Sequence, residues 1–557
     1  MSQFMVVFLG ILAVLLLVIV SGIRSKLRLK KRLAAVWGSR ERVGQRPDSQ
    51  ASLYESFLLD REEQSYDSLV DDQTWEDLDF HQIFEEIDTA SQSSLGSEYL
   101  YSRLRLLRFE PDQDLEALQC YLSQHPQERF QLQLLFGQIG RKNHNQAKKI
   151  VCRPAPANHR GGLYLLLALL PLLSPLFFFV SPPLGYLLPL LSMTFNIFYY
   201  LLTRWSLDMR LDSLGYLVRV FYVGGKIARM DLPGQDSLKK ASKAFSRTKL
   251  FGPVFRPQSG VSELEIFFLY INSVLLLPHL AQAYISKRLV RYNQEARTVL
   301  DLLGRLEAAI AILNYKESLP FYARPEFSEE GGLVGRELYH PLLSQPVSND
   351  VQFSGNVMIS GDNASGKSTY LRTVAINAVL AQALGFTCGR QLRLQYGHVL
   401  TAMDVSDDIG SGDSYFIAES RAILRMLDSL EEGGLHYFFI DELFKGTNTV
   451  ERIGAGLGII RWLAQRPCLY MVSSHDVELV GASGGLNEQY HFDSQYIKGE
   501  IVFDYQIKPG SALTKNAVNT LESLDYPAEL TEAARRVIHH YEQSGQWTLQ
   551  AAEGERK

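Results

Sequence analysis

Long apolar runs separated by polar segments are the strongest pattern in the N-terminal half of the chain. Residues 4–23 carry no charge and are long enough to cross a hydrocarbon core of about 30 Å as a helix. Two further apolar runs, 163–180 and 184–202, are separated by a Ser-Pro-Pro turn at 181–183 and predict a helical hairpin. The pattern therefore predicts an N-terminal anchor and a membrane hairpin.

Basic residues flank these runs on the side expected to face the cytoplasm. They are Arg24, Lys26, Arg28, Lys30, Lys31 and Arg32 after the first run, Lys148, Lys149, Arg153 and Arg160 before the hairpin, and Arg204 and Arg210 after it. A cleaved signal peptide is the alternative for the first run, although its charges would precede the apolar stretch. A buried core pair is the alternative for the hairpin. The flanks predict Met1 outside, three crossings and the remaining chain in the cytoplasm.

A fourth apolar run, residues 266–284, contains Asn272, Pro278, His279 and Gln282. A crossing here would place everything after it outside the cell. We expect instead a buried helix, or a helix lying against the membrane.

The C-terminal half contains a glycine loop between a predicted strand at 357–360 and a predicted helix at 370–384. The loop reads GDNASGKST at 361–369, and the order strand, loop, helix is typical of a P-loop. In such a loop backbone N–H groups close around phosphate, Lys367 reaches the β- and γ-phosphate oxygens, and the Ser368 hydroxyl binds Mg²⁺. The loop residues predicted to bind nucleotide are Gly361, Ser365, Gly366, Lys367, Ser368 and Thr369. A chance match is the alternative, but two further strands carry complementary chemistry.

The first of these strands, HYFFIDE, ends in Asp441 and Glu442. Asp441 is placed to hold the Mg²⁺ shell, and Glu442 to polarise the water that attacks the γ-phosphate. The second, CLYMVSSHD, ends at His475, which is predicted to contact the γ-phosphate or orient the water, because ligands bind at the carboxyl ends of strands in such sheets. A solvated pair of acids and a structural histidine are the respective alternatives.

Together these motifs resemble the ATPase domain of the MutS family, relatives of ABC-type ATPases. The resemblance starts near Gly331 and is carried by NDVQFSGNVMISGDNASGKSTYLRTVAINAVLAQALGF, FFIDELFKGTNTVERIGAG and DDIGSGDSYFIAES, the last of which resembles the family's signature loop. It implies that Asn363 contacts phosphate and that Tyr505 packs on adenine. It also implies a homodimer, in which the signature residues Ser411, Gly412 and Ser414 meet the partner subunit's γ-phosphate.

The chain departs from the family pattern at several positions. Asp362, Ala364 and Ser365 replace the usual Pro, Met and Gly of the P-loop, and Asp413 stands where Arg is common. An added negative charge near phosphate would weaken nucleotide binding. Upstream the resemblance is to pieces of the family's helical core and lever, and nothing resembles its mismatch-reading domain.

The expected fold class is an α/β P-loop ATPase domain of the ABC/MutS type at the C-terminus, preceded by an α-helical core and lever region that transmembrane helices interrupt. The expected segments are an anchor (1–24), a juxtamembrane linker (25–75), a helical core segment (76–160), a transmembrane hairpin (161–205), a core and lever segment (206–330), the ATPase domain (331–545) and a polar tail (546–557).

Composition argues against two classes of function, nonspecific nucleic-acid binding and zinc binding. The formal charge of −5 gives no overall basic field for nucleic acid, and the four cysteines have no CxxC spacing for zinc. We therefore expect a multi-pass cell-membrane ATPase that binds ATP and Mg²⁺ in a head-to-tail homodimer and moves helical arms, with membrane lipid and an unidentified protein as partners. Any DNA binding would lack mismatch discrimination. A DNA-binding protein of mismatch repair or recombination, and an ABC-transporter-like ATPase, are the alternatives.

Overall fold

The computed structural model describes most of the chain as two compact units. The described residues are 24, 27–40, 48–154, 160–255, 263–362, 365–403, 415–497, 500–511, 518, 521–522 and 526–548, without the side chains of 204–210, 263–268, 415 and 495–501. Three predictions lie outside the described residues: the anchor at 4–23, Asn363, and the signature residues Ser411, Gly412 and Ser414.

The N-terminal part of the chain contributes segments to both units in turn. The helical unit comprises 1–65, 84–103 and 112–318, and the α/β unit comprises 66–83, 104–111 and 319–557. A single boundary at 331 does not describe this division, because two short upstream segments belong to the α/β unit. The other predicted segment boundaries stay predictions.

Helices account for nearly all regular structure up to residue 318. In chain order the helices are α1 Gln50–Glu63, α2 Asp72–Asp77, α3 Phe80–Ile87, α4 Ser94–Arg105, α5 Gln113–Gln124, α6 Pro126–Ile139, α7 Ala147–Cys152, α8 Gly161–Leu173, α9 Pro182–Ile227, α10 Gln235–Lys243, α11 Glu263–Val274, α12 Leu277–Arg291, α13 Asn293–Ser318, α14 Lys367–Leu384, α15 Tyr415–Ser429, α16 Thr449–Leu463, α17 Val477–Ser483 and α18 Ala528–Ser544. Short 3₁₀ helices occur at Asp88–Ala90, Ser174–Phe179, Ser246–Phe255 and Leu430–Glu432. Residues 27–36 are also helical.

The strands, in chain order, are β1 Ser68–Leu69, β2 Leu106–Leu107, β3 Glu326–Phe327, β4 Leu333–Leu338, β5 Asn349–Phe353, β6 Val357–Ser360, β7 Gln391–Leu394, β8 His398–Ala402, β9 His436–Asp441, β10 Cys468–Ser474, β11 Glu488–Ile497 and β12 Glu500–Pro509.

The core of the helical unit forms around α13, which packs against α5, α6, α7 and α10. Residues 308–315 of this helix are all buried. Glu307 on the same helix accepts hydrogen bonds from the backbone N–H groups of Gln92, Ser93 and Gly96, at 2.6, 2.8 and 3.2 Å. This carboxylate thereby caps the N-terminus of α4, whose first N–H groups have no partner within the helix.

The apolar hairpin consists of α8 and the first half of α9. By length and composition alone, Gly161–Phe179 and Pro182–Thr203 are apolar enough to cross a membrane, and 22% of each span is buried. The two helices meet near the predicted Ser-Pro-Pro turn, but α9 continues past the predicted end of the apolar run at 202 to Ile227. The fourth run is not one helix: α11 ends at Val274, α12 begins at Leu277, and Leu276 between them has φ 46°, a left-handed conformation that interrupts helix geometry.

The α/β unit is built on a six-stranded sheet with the order β12-β11-β6-β10-β9-β8. Strands β11, β6, β10, β9 and β8 are parallel, and β12 returns antiparallel to β11. Helices α15 and α16 both contribute buried apolar side chains to a core cluster with the sheet, around Phe438, Tyr470 and Ile460. A second sheet has the order β3-β7-β4-β5.

The upstream residues 66–83 and 104–111, which we call the strap, complete the edge of this unit at β8. Within the strap, β1 pairs with β2. Asp77, buried on α2, accepts hydrogen bonds from Thr401 Oγ1 at 2.7 Å and from Met403 N at 3.0 Å. Arg425 on α15 binds the Asp71 carboxylate and donates to the Thr401 carbonyl. The strap therefore contacts both the edge strand and α15.

Candidate nucleotide site

Three parallel neighbouring strands present the predicted catalytic residues at one edge of the sheet. β10 lies between β6 and β9, with Ser474 opposite Ser360 and Ser473 opposite Asp441. The glycine loop follows β6, Glu442 follows β9 and His475 follows β10. The strands predicted from the sequence thus end together, as required for a site at the carboxyl edge.

The glycine loop adopts a backbone that only glycine accepts easily at two positions. Gly361 has φ 144° and Gly366 has φ 108°. A Cβ at Gly361 would lie 2.9 Å from the Phe492 carbonyl oxygen, and one at Gly366 would lie 3.2 Å from the ring of Tyr505. Helix α14 begins immediately afterwards at Lys367, so its N-terminal N–H groups face the loop, as at anion-binding helix termini.

Lys367 is buried, and its ammonium lies inside the loop. Its Nζ donates to the carbonyl oxygens of Gly361 and Asp362, both at 2.8 Å. Burial lowers its pKa, against the opposing charges of Glu442, Asp441 and Asp362. Among the described residues, the Ser365 hydroxyl is buried and has no hydrogen-bond partner. A buried cation and a buried unpaired hydroxyl in a glycine cradle fit a bound phosphate.

Asp441 and Glu442 have different surroundings, which fit the different roles predicted for them. The Ser473 hydroxyl donates to Asp441. A carboxylate and a hydroxyl are oxygen ligands of the kind that Mg²⁺ prefers, as predicted for Asp441 and Ser368. Glu442 Oε1 lies 3.0 Å from Nδ1 of His475, and its Oε2 lies 3.1 Å from Nζ of Lys445.

These partners keep Glu442 ionised. Burial alone would raise its pKa, but the hydrogen bond and charge of His475 and the charge of Lys445 lower it to about 2. In return, the hydrogen bond to Glu442 raises the pKa of His475. The turn that presents His475 is fixed by Asp476, which accepts from Nε and Nη2 of Arg452 on α16, each at 2.8 Å.

The remaining described site residues lie around this centre. Ser368 and Thr369 are in the first turn of α14. Tyr505 is on β12, is 44% exposed and has its ring beside Gly366. The adenine contact of Tyr505 stays a prediction. The Asp362 carboxylate, expected to disturb phosphate binding, accepts a hydrogen bond of 2.6 Å from Ser494 Oγ on β11.

Sequence reasoning missed Lys445, Ser473 and Glu419. The sequence shows that Lys445 follows Glu442 by three residues. Outside a helix, however, this spacing does not predict that the two side chains contact each other. Ser473 required the β9–β10 register. Glu419, whose carboxylate accepts from the backbone N–H groups of Lys445 and Gly446 at 3.1 and 3.2 Å, required the packing of α15.

The model of MutS domain V matches residues 357–542. The C-terminal half is similar to MutS domain V. The DNA mismatch repair protein MutS of Thermus thermophilus is 29% identical over 261 residues, 46% of this chain and 31% of that protein. The protein of the same name from Staphylococcus carnosus is 26% identical over 274 residues, 47% of this chain and 31% of that protein.

A mouse relative, MutS protein homolog 4, is 25% identical over 358 residues, 60% of this chain and 36% of that protein. The chain therefore spans about a third of the length of the MutS relatives it matches. The MutS-like domain contains every described residue of the nucleotide site.

Proposed function

We propose that this protein is a membrane-anchored MutS-like ATPase that binds ATP and Mg²⁺ at the loop 361–369 and hydrolyses the γ-phosphate. The observation that carries the proposal is the meeting of Lys367, Asp441, Glu442 and His475 at the ends of β6, β9 and β10. Lys367 and the N-terminus of α14 hold phosphate, and Ser368 and Asp441 hold Mg²⁺, which neutralises charge on the phosphates. Glu442 orients and polarises the attacking water, and His475 holds that carboxylate.

The test of this chemistry is ATP turnover by detergent-purified protein with Mg²⁺. Lys367→Ala is expected to lose nucleotide binding, because the only buried ammonium described in the loop is removed. Glu442→Gln is expected to keep ATP binding while turnover falls by about 100-fold or more. Glu478→Gln, which changes an exposed acid on α17, is the matched control. Normal hydrolysis by Glu442→Gln would show that another group activates the water.

The membrane part of the proposal is supported by the exposure of the hairpin. Core helices of soluble proteins bury their apolar faces, whereas Leu166, Phe179, Leu190 and Leu202 are 62%, 87%, 64% and 67% exposed. Continuous apolar surface on both helices is what contact with the hydrocarbon core of a membrane requires. Its basic flanks suit an orientation with both ends in the cytoplasm.

Cysteine labelling of intact cells tests this topology. The background carries Cys120→Ser and Cys152→Ser, because these two free cysteines are not buried. An impermeant maleimide is expected to modify Ser181→Cys at the hairpin turn and to spare Lys287→Cys on α12 unless the cells are opened. Labelling of Lys287→Cys in intact cells would overturn the topology, and equal protection of both positions would overturn the crossing.

The head-to-tail homodimer is proposed from the resemblance of residues 411–414 to the signature loop. Mixing Ser414→Ala with Lys367→Ala protein yields heterodimers in which one composite site carries both changes and the other carries neither. Recovery of about half the wild-type turnover per dimer would support trans sites. Heterodimers without activity would count against them.

The names of the relatives make DNA the second candidate ligand. Mismatch recognition needs an apolar wedge inserted at a deformable base step, and the sequence contains no segment that resembles the family's reading domain. We therefore propose that any duplex binding is salt-sensitive and indifferent to mismatches. A competition between homoduplex and single-mismatch duplex at near-physiological salt tests this. A preference of about tenfold, or roughly 1.4 kcal/mol, would favour the repair function.

A further inference from the structure

The loop that follows Glu442 has a strained backbone. Glu442 has φ 58° and Phe444 has φ 59°, both in the left-handed region, which is unfavourable for side chains of this size. Such conformations persist only where surrounding contacts impose them, and they concentrate at functional sites. The contacts that impose this one therefore decide where the Glu442 carboxylate points.

One of these contacts comes from α15. Glu419 lies on this helix and is buried, at 6% exposure. Its Oε1 accepts from Lys445 N at 3.1 Å, and its Oε2 accepts from Gly446 N at 3.2 Å. Two backbone N–H groups of a loop without regular structure are thus bound by one carboxylate, which is a strong, charge-assisted arrangement.

The bound loop is the same segment that holds the catalytic carboxylate. Lys445, whose backbone Glu419 binds, places its Nζ 3.1 Å from Glu442 Oε2. Phe444 packs its ring 5.5 Å from that of Phe416, also on α15. Glu419 and Glu442 line the same small pocket, together with Met403 and Asp441.

We propose that Glu419 is a positioning residue for ATP hydrolysis, which fixes the loop 443–446 to α15 and thereby sets the position of Glu442. The inference rests on the proposed function. Helix α15 begins at Tyr415, immediately after the predicted signature residues. A displacement of α15 is therefore passed to Glu442 through the two N–H groups that Glu419 holds. Glu419 itself touches no substrate in this role.

Three substitutions separate this role from simple structural support. Glu419→Ala removes both acceptors. Glu419→Gln keeps one acceptor oxygen but turns an NH₂ group toward a backbone N–H, so its effect is expected to lie between Ala and wild type. Glu431→Gln changes an exposed acid just beyond the same helix and serves as the matched control.

The kinetic measurement is steady-state ATP turnover by the full-length protein in detergent, with the dissociation constant of ATP measured separately. We expect kcat to fall about 10-fold to 100-fold in Glu419→Ala and less in Glu419→Gln, with the dissociation constant changed less than about twofold. A merely structural residue would lower binding, kcat and thermal stability together, and that result would overturn the proposal. Wild-type kcat in Glu419→Ala would overturn it as well.

Hydrogen exchange of the backbone supplies a readout that does not depend on turnover. Exchange at Lys445 and Gly446 is expected to accelerate at least tenfold in Glu419→Ala while strand β9 keeps its protection. Unchanged exchange would show that Glu419 does not hold the loop. Absence of hydrolysis by wild-type protein would defeat the proposed function alone, whereas an active wild type with unaffected Glu419 variants would defeat this inference alone.

Discussion

Nδ1 of His475 lies 3.0 Å from Oε1 of Glu442, and the two residues follow the neighbouring parallel strands β10 and β9. Lys445 contacts the other carboxylate oxygen at 3.1 Å. The carboxylate is thus held on both oxygens and stays charged. A positioned, ionised carboxylate is the group expected to bind and polarise a water molecule.

His475→Gln is expected to lower ATP turnover by about 10-fold to 100-fold with little change in ATP affinity, because the carboxylate loses an orienting partner but the phosphate loop is intact. Turnover and equilibrium ATP binding are measured on the same preparation. His144→Gln is the control, since it alters an exposed histidine that lies 3.7 Å from Glu55. Equal losses of affinity and turnover would mean that His475 holds the nucleotide instead.

Asp362→Asn is expected to strengthen ATP binding by about twofold to tenfold, since it removes a negative charge close to the phosphate loop. The effect is small because the carboxylate already accepts a hydrogen bond from Ser494 Oγ. Titration at two ionic strengths measures it, and the gain is expected to shrink with added salt. Weaker binding by Asp362→Asn would show that the carboxylate supports the loop rather than opposing the ligand.

Arg425 and Asp71 are expected to stabilise the α/β unit as a coupled pair. Arg425→Met and Asp71→Asn should each lower the free energy of unfolding by about 1–3 kcal/mol, because a half-buried charge loses its partner. Asp71→Asn keeps an acceptor for Thr74 N, the N-cap bond of α2 at 2.8 Å. The double variant in urea unfolding should reveal a coupling of about 1–2 kcal/mol.

Arg421→Met, an exposed change one turn earlier on α15, is the control for that cycle. Strict additivity of the two single changes would show that the ion pair contributes nothing to the attachment of the strap.

Glu98 predicts a pH dependence of stability. Burial raises its pKa from 4.5 to about 7, although the charge of Lys148 acts in the opposite direction. Between those values the folded protein keeps a proton that the unfolded chain releases, so the contribution of this carboxyl to stability is complete below pH 4.5 and is lost as the pH rises toward 7.

Glu98→Gln cannot ionise, so its stability relative to wild type should improve by about 1–3 kcal/mol between pH 4.5 and pH 8. Urea unfolding at several pH values measures the difference, with Glu85→Gln as an exposed control in the same unit. A difference that does not vary with pH would show that Glu98 titrates alike in both states.

The sequence predicted the strands β6, β9 and β10 because each is a short apolar run that ends in polar chemistry, and the structure confirms these elements. It also predicted the position of the hairpin turn, since apolar length and a Pro-Pro pair are local signals, but it did not predict that α9 continues to Ile227. The break at Leu276 was missed because the apolar pattern continues across it. A left-handed residue is decided by how α11 and α12 pack, and this packing has no periodic signal.

Contacts between residues distant in sequence could not be predicted from the sequence either. Asp77 meets Thr401, and Glu419 meets the turn at Lys445, only because of the sheet order and the position of α15. Local periodicity in one sequence predicts whether a segment forms a helix or a strand. It does not predict which helices and strands become neighbours. For this reason local periodicity did not predict that residues 66–83 and 104–111 belong to the α/β unit.

The strap also sets an order of events during synthesis. Thr401 follows Asp77 by 324 residues, so at about 5–20 residues per second it leaves the ribosome roughly 15–65 s later. Trp75, Leu78 and Phe80 are buried in the folded α/β unit, yet the β8 edge against which the strap packs does not exist during that interval. The first-made part of this unit must therefore wait for β8, which is made about 324 residues later. A chain released before β8 is complete would leave these apolar side chains without their native partners.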